Sequence, residues 1–324
     1  MDPTSKEYVP IPISEFVSGV LIQVDLHIRL SEEKFVMVAR AGVLSDVSQF
    51  KNYQNKEVAY LWVRKTEYHK ISQQAISIAG MVVKRKDLND RTKAVVVTQA
   101  ARAVFRQIEH FGFDYAGYVA SRQVMEAVIA LTENHKSLSD LLESLHQCSD
   151  RFLAHSMGVS MFSMMIGQRM GFENRATIEK LALGGLLHDI GKKALPASTY
   201  DKGLAQMTPE EIQHYESHSF KGMQMLQSIG MVPDDIVSIV YEHHENTIGQ
   251  GFPQKIREVK IHPLAKIVGI ADAYTNLIIA SPHCPQPKNP REALMYIEHT
   301  LGLPYNRDAF RALKRIIEGE KKAA

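Results

Sequence analysis

The chain has 324 residues, long enough for two compact domains with a sizeable core. With 38 Lys plus Arg against 36 Asp plus Glu, its formal charge of +2 offers no field to gather a nucleic-acid polymer or an anionic membrane. Only Cys148 and Cys284 are present, which excludes a disulfide framework or thiolate cage; no apolar run approaches the roughly 20 residues that span a bilayer, no signal-peptide pattern opens the chain, and a cytoplasmic protein is expected.

From Val20 to Leu30 apolar residues alternate with Gln23, Asp25, His27 and Arg29, which predicts a half-buried strand. Phe35 to Ala39 and Val58 to Val63 are rich in β-branched and aromatic residues and predict two more. Asp46 to Asn55 between them reads as polar and turn-prone. Residues 1–88 are thus expected to form a small strand-containing domain, with the polar stretch Lys84 to Lys93 as linker or helix start.

Residues 89–324 are expected to form an all-α bundle, so the fold class is mainly α with a small α+β domain in front. Capping signals punctuate it: Thr208, Pro209 and Glu211, then Asn289, Pro290 and Glu292, with His262 followed by Pro263 opening another helix. The pattern predicts helices over 94–110, 114–132, 137–147, 150–170, 174–189, 209–228, 233–246, 263–280, 290–301 and 306–317.

Several helices carry polar groups where the core belongs. His155 follows Phe152 and precedes Val159, Phe162 and Ile166 at helical spacing; His188 continues Ile178, Leu181 and Gly185. The Gly184-Gly185 pair would let a neighbouring helix approach closely. Ile236, Ile239 and Val240 lead into His243 and His244, and Leu264, Ile267, Val268 and Ala271 lead to Asp272. A single such His is ordinarily a core residue with one hydrogen bond. Several imidazoles with buried carboxylates are a different matter, because they are costly without a countercharge that a divalent cation would supply. The donor set suits iron, manganese or zinc, and its size suggests two ions, about 3.5 to 4 Å apart if a carboxylate bridges them. The methionines from Met157 to Met170 read as adaptable core, and Trp62 as core of a strand. Glu245 is either a group orienting an imidazole or a solvated helix end.

The blocks LLHDIGKKALP (Leu186 to Pro196), YEHHENTIGQGFP (Tyr241 to Pro253) and VGIADAYTNL (Val268 to Leu277), with His155 ahead of them, resemble the HD-GYP branch of the HD phosphohydrolase superfamily. The resemblance implies a metal-dependent phosphodiesterase acting on cyclic di-GMP through a metal-bridging hydroxide. Two divalent ions are expected, iron or manganese favoured. It implies that His155, His188, Asp189 and Asp272 surround one ion, and that Asp189 bridges to a second held by His218, His243 and His244. His214 is a rival to His218 and is read as structural. Lys192 would contact a phosphate oxygen in catalysis, and Gly251, Phe252 and Pro253 would contact substrate.

The chain departs from the family pattern at Ile248 and Phe252, where the signature has Asp and Tyr, and at Arg151, where some relatives carry Glu for a third ion. The Arg and Tyr expected after Asp272 are replaced by SPHCPQPKNP (Ser281 to Pro290). Arg151 is expected to project toward the cavity rim or to pair with Glu179. Alternatives are a metal-binding signalling scaffold with little turnover, contacting a protein through the 248–253 loop, or a hydrolase for another nucleotide phosphate.

Overall fold

The computed structural model describes residues 7–16, 19–54, 58–134, 142–143, 145–148, 150–196, 199, 202–281 and 284–319. A four-stranded antiparallel sheet of order β1-β4-β2-β3 lies near the amino terminus, built from β1 (Tyr8–Pro12), β2 (Leu26–Arg29), β3 (Phe35–Ala39) and β4 (Tyr60–Arg64). Pro10 is tolerated because β1 is an edge strand. The strand expected over Val20 to Leu30 is shorter. Around Ile22 the backbone bonds to Val43 and Gly42 in a local crossing, so the ladder starts only at Leu26. Nor is the stretch from Asp46 to Gln54 a turn, Asn55 lying outside the described residues: α1 (Val47–Gln54) follows Asp46, whose carboxylate accepts from the Ser48 amide, and Phe50 is buried in the sheet core.

A helix outside the expected set, α2 (Tyr68–Val82), connects the two parts. Tyr68 at its start packs in the sheet core and Ala79 near its end in the helical core. The polar stretch Lys84 to Lys93 then leads into α3 (Asp90–Phe111), whose N-cap Asn89 accepts from Thr92.

The helical layer continues with α4 (Tyr115–Asn134), α5 (Arg151–Arg169), α6 (Arg175–Leu187), α7 (Pro209–Ile229), α8 (Asp234–Glu242), α9 (Pro263–Ile278), α10 (Pro290–Met295) and α11 (Arg307–Glu318). Most of the helix expected over 137–147 lies outside the described residues. Both predicted capping boxes form, and His262 caps α9 through its side chain. The helix expected to 301 turns into a π-helical turn at Tyr296–Thr300. Met157, Met161 and Met164 are core, as is Trp62. Among the described residues no helix is long and apolar enough to cross a membrane.

Two close approaches fix the frame of the site. A Cβ on Gly185 would lie 2.8 Å from the Ser160 backbone and one on Gly184 2.6 Å from Ile239, so the glycine pair lets α5 and α8 pack tightly on α6. A Cβ on Gly191 would fall 1.9 Å from the His218 carbonyl oxygen. The turn after Asp189 therefore rests directly on α7.

Candidate metal centre

His155 stands on α5, His218 on α7 and Asp272 on α9. The helices expected to run to 189 and 246 stop earlier, and this places the rest. His188 caps the C-terminus of α6 with Asp189 next to it, and His243 caps that of α8 with His244 next to it. Two helix C-termini, the ends that favour positive charge, thus abut one cluster.

The cluster divides into two groups whose donor atoms converge: Asp189, His218, His243 and His244, and His155, His188 and Asp272. Asp189 faces both. Its Oδ1 is 3.2 Å from His218 Nε2 and 3.8 Å from His243 Nε2; its Oδ2 is 3.3 Å from His188 Nε2 and 3.7 Å from His155 Nε2. Asp272 Oδ1 lies 3.1 Å from His155 Nε2, and its Oδ2 3.6 Å from His244 Nδ1. His155 and His244, with 12% and 17% of their side chains exposed, form the open side. All seven residues expected as ligands are brought together, whereas His214 is exposed on α7 outside the cluster.

Three of the imidazoles have their tautomer set by the backbone. Nδ1 of His188, His218 and His243 donates to the carbonyls of Gly185, Tyr215 and Val240 at 2.7, 2.6 and 2.9 Å. A carbonyl only accepts, so Nδ1 carries the proton, and in the neutral ring Nε2 presents a lone pair inward. Burial holds His218 below the ordinary imidazole range, and burial with the neighbouring imidazoles holds His243 well below it. Burial likewise takes His244 down to about 3. Two neutral imidazoles thus aim lone pairs, 3.4 Å apart, at Asp189 Oδ1, a buried oxygen without a hydrogen-bond partner. Buried lone pairs facing an anionic oxygen require a cation, and the donor set fits a divalent metal ion.

Burial pushes the Asp189 carboxyl up, but Lys192 and His188 outweigh it and hold the group well below the carboxylate range. For Asp272 the opposing groups are His155 and His244, with the same result. His188 goes the other way: burial lowers it, and Asp189 and Asp272 raise it further. Lys192 Nζ is 2.5 Å from Asp189 Oδ2 and 5.1 Å from the Tyr215 ring centroid.

The 248–253 loop folds back over the helix end. Phe252 lies against His244, ring centroids 4.4 Å apart, and its amide donates to the His244 carbonyl. A Cβ on Gly251 would fall 2.3 Å from that same oxygen. Pro253 follows Phe252 through a cis peptide bond. Glu245 is neither of the things expected of it: it is buried, and its carboxylate accepts from the amides of Gln254, Lys255 and Ile256, tying the loop down. Asn276 was not expected at the site. It stands one turn beyond Asp272 and donates to its Oδ1 at 2.8 Å. The Asp272 and Asn276 spacing of four residues was the available signal. Arg151 is exposed and lines a surface cavity with Cys148 and Ile279, and Glu179 pairs with Arg175 instead, at 3.0 Å.

Residues 126–307 match the HD domain family model. The chain belongs to the HD-domain family. Its curated relatives include a cyclic di-GMP phosphodiesterase of Thermotoga maritima, 28% identical over 191 residues, covering 57% of this chain and 51% of the relative. A cyclic di-GMP phosphodiesterase of Pseudomonas aeruginosa is 27% identical over 129 residues, covering 40% of this chain and 31% of that one. A 3'3'-cGAMP-specific phosphodiesterase of Vibrio cholerae is 24% identical over 182 residues, 56% of this chain and 41% of the relative. The chain thus matches about half or less of the length of these proteins. The fold is shared with an HDG"Y"P protein from Bdellovibrio bacteriovorus, at a TM-score of 0.69 and 20% identity, covering 96% of this chain and 100% of that one.

Proposed function

We propose that this protein is a metal-dependent phosphodiesterase that hydrolyses a cyclic dinucleotide, cyclic di-GMP first among them. The observation that carries this reading is the division of Asp189, whose two oxygens face separate sets of imidazoles. On this reading two divalent ions, iron or manganese, would be held by Asp189 together with His155, His188 and Asp272 for one and with His218, His243 and His244 for the other. When bound, such a pair lowers the pKa of water and clamps a phosphoryl oxygen. Asp189 and Lys192 are the catalytic residues of the proposal: Lys192, half-buried beside the carboxylate, offsets charge developing on the phosphate. Gly251, Phe252 and Pro253 shape the substrate side next to His244. The names of the curated relatives support the substrate class.

The test is hydrolysis by protein purified without oxygen and loaded separately with iron and manganese. Its substrates are cyclic di-GMP, 3'3'-cGAMP and bis(p-nitrophenyl) phosphate, with products separated by chromatography. Cleavage of a cyclic dinucleotide that disappears on chelation is the expected result; none with either metal loaded refutes the reading.

One observation favours a second reading. Ile248, at the head of the loop, is 55% exposed, which suits a protein contact through residues 248–253 and a signalling scaffold with little turnover. Residues 1–88 would then serve sensing or protein contact under either reading. A cytoplasmic setting belongs to the proposal, and the free thiols of Cys148 and Cys284 support it.

A further inference from the structure

Where the sheet part meets the helices, a cavity of about 290 Å³ lies between the sheet, α2 and α3. Its walls come from both parts: Ile11 and Ile22 from the sheet part, Ile71 and Ile78 from α2, and Val96 and Ala103 from α3. Each helix pair is two turns apart, so both residues share one face. Leu21, 48% exposed, marks the mouth, and Tyr68, fully buried, the floor. Pockets for small molecules run to roughly 300 to 1,000 Å³, are mostly apolar and favour the boundary between two domains. None of the seven candidate metal ligands lines this cavity.

Polar links brace the walls against collapse. The Arg106 guanidinium on α3 donates to both oxygens of Glu15 at 2.7 and 2.8 Å, and Gln74 on α2 donates to the Leu21 carbonyl at 2.6 Å. Glu15 and Arg106 are the only charged residues among the described walls, and each satisfies the other. Arg102, which is not a wall, lies 3.6 Å from the same carboxylate and donates to Cys148 Sγ. A charged guest would enter unpaired or break a part-buried ion pair, and both are costly. An uncharged guest avoids either cost. Ser45, Tyr68 and Gln74 already bond to backbone groups. Gln99, half-buried on α3, makes no side-chain hydrogen bond among the described residues, and its amide both donates and accepts.

We propose that this cavity binds a small uncharged amphiphile, an apolar chain or ring carrying one hydrogen-bonding group that Gln99 takes. Such a guest touches β1, α2 and α3 at once, so its binding stabilises the junction of the two parts. Residues 1–88 then supply one side of a ligand site.

The experiment titrates the full chain, metal-loaded, with N-phenyl-1-naphthylamine, an uncharged probe whose fluorescence rises in apolar surroundings. The probe is then displaced with 1-octanol or, at neutral pH, with octanoate. Saturable binding of about one equivalent is expected, with 1-octanol displacing the probe at a concentration about tenfold or more below that needed for octanoate. Ala75→Phe and Val96→Phe, which fill the cavity from α2 and α3, should each weaken the probe by about tenfold or more. Gln99→Leu should weaken 1-octanol by about two- to tenfold, the worth of one neutral hydrogen bond. Metal content should be the same in all variants. A wild type without saturable binding, a probe unaffected by both phenylalanine variants, octanoate as strong as 1-octanol, or octanol affinity unchanged in Gln99→Leu would each overturn the proposal. Should the phenylalanine variants fail to fold, as judged by metal content and a cooperative melt, Gln99→Leu and the comparison of octanol with octanoate still decide it.

Discussion

Lys192 places its ammonium 2.5 Å from Asp189 Oδ2, the same oxygen that faces His155 and His188. The opposite oxygen of that carboxylate faces His218 and His243. One side chain therefore joins both imidazole groups and the half-buried ammonium of Lys192.

Asp189→Ala should accordingly remove both ions rather than slow turnover alone. Asp189→Asn, which keeps the shape, separates this from misfolding. Metal analysis of the anaerobically purified variants should give close to none against about two equivalents in wild type, the number a bridged pair implies. Wild-type stoichiometry in both variants would sink the bridging assignment.

Lys192→Ala should cost about 10² to 10³ in kcat, or about 2.7 to 4 kcal/mol of transition-state stabilisation, by analogy with removal of one oxyanion donor. Metal content should stay at the wild-type level, and Lys192→Met, which keeps the aliphatic stem against Tyr215, should lose the same rate. Metal lost in step with activity would make Lys192 a structural counterion instead.

Glu245 secures the loop, not an imidazole, through three backbone amides. Glu245→Ala should cost about 2 kcal/mol, given that hydrogen bonds to a charged group are worth about 1.5 to 3 kcal/mol and that these amides are partly open to water. Hydrogen exchange should quicken at residues 254–256, and metal content should not change. Glu245→Gln should fall between the two, since an amide oxygen replaces only one of the two accepting oxygens. Metal loss in either variant would return Glu245 to the centre itself.

Arg151 is exposed and lines a surface cavity, and a permanently charged guanidinium supplies no metal ligand. Metal binding should therefore saturate near two equivalents per chain, as expected for a bridged pair. Arg151→Glu tests whether a carboxylate one turn before His155 can recruit a third ion. A third equivalent bound by wild type would contradict the assignment.

The helical part was legible because its signals were periodic. His155, His188 and Asp272 sit on stripes of large apolar residues, and a polar group on such a stripe has few places to go except inward. Pro and capping residues marked several helix starts for the same local reason. The amino-terminal part was less legible. Four short strands, a proline in β1 and a non-ladder crossing at Ile22 gave mixed alternation, and α2 divides its apolar face between two cores, so neither period dominates. Helix ends were the other weak point: nothing local says that α6 and α8 stop just before His188 and His243. Glu245 and Asn276 act through partners that only the folded chain brings near, which spacing alone could not assign.

The donors come from α5, the α6 end, α7, the α8 end and α9, so no fragment of the bundle contains the site. A cation bound there distinguishes the native chain from every partly unfolded one. On the proposed reading the ions act as a thermodynamic clamp on the whole bundle, each adding roughly 1.4 kcal/mol of stability for every tenfold rise in free metal above its dissociation constant. The melting temperature then becomes a gauge of metal supply. In a metal-starved cell the number of folded copies, and not only their rate of turnover, would fall.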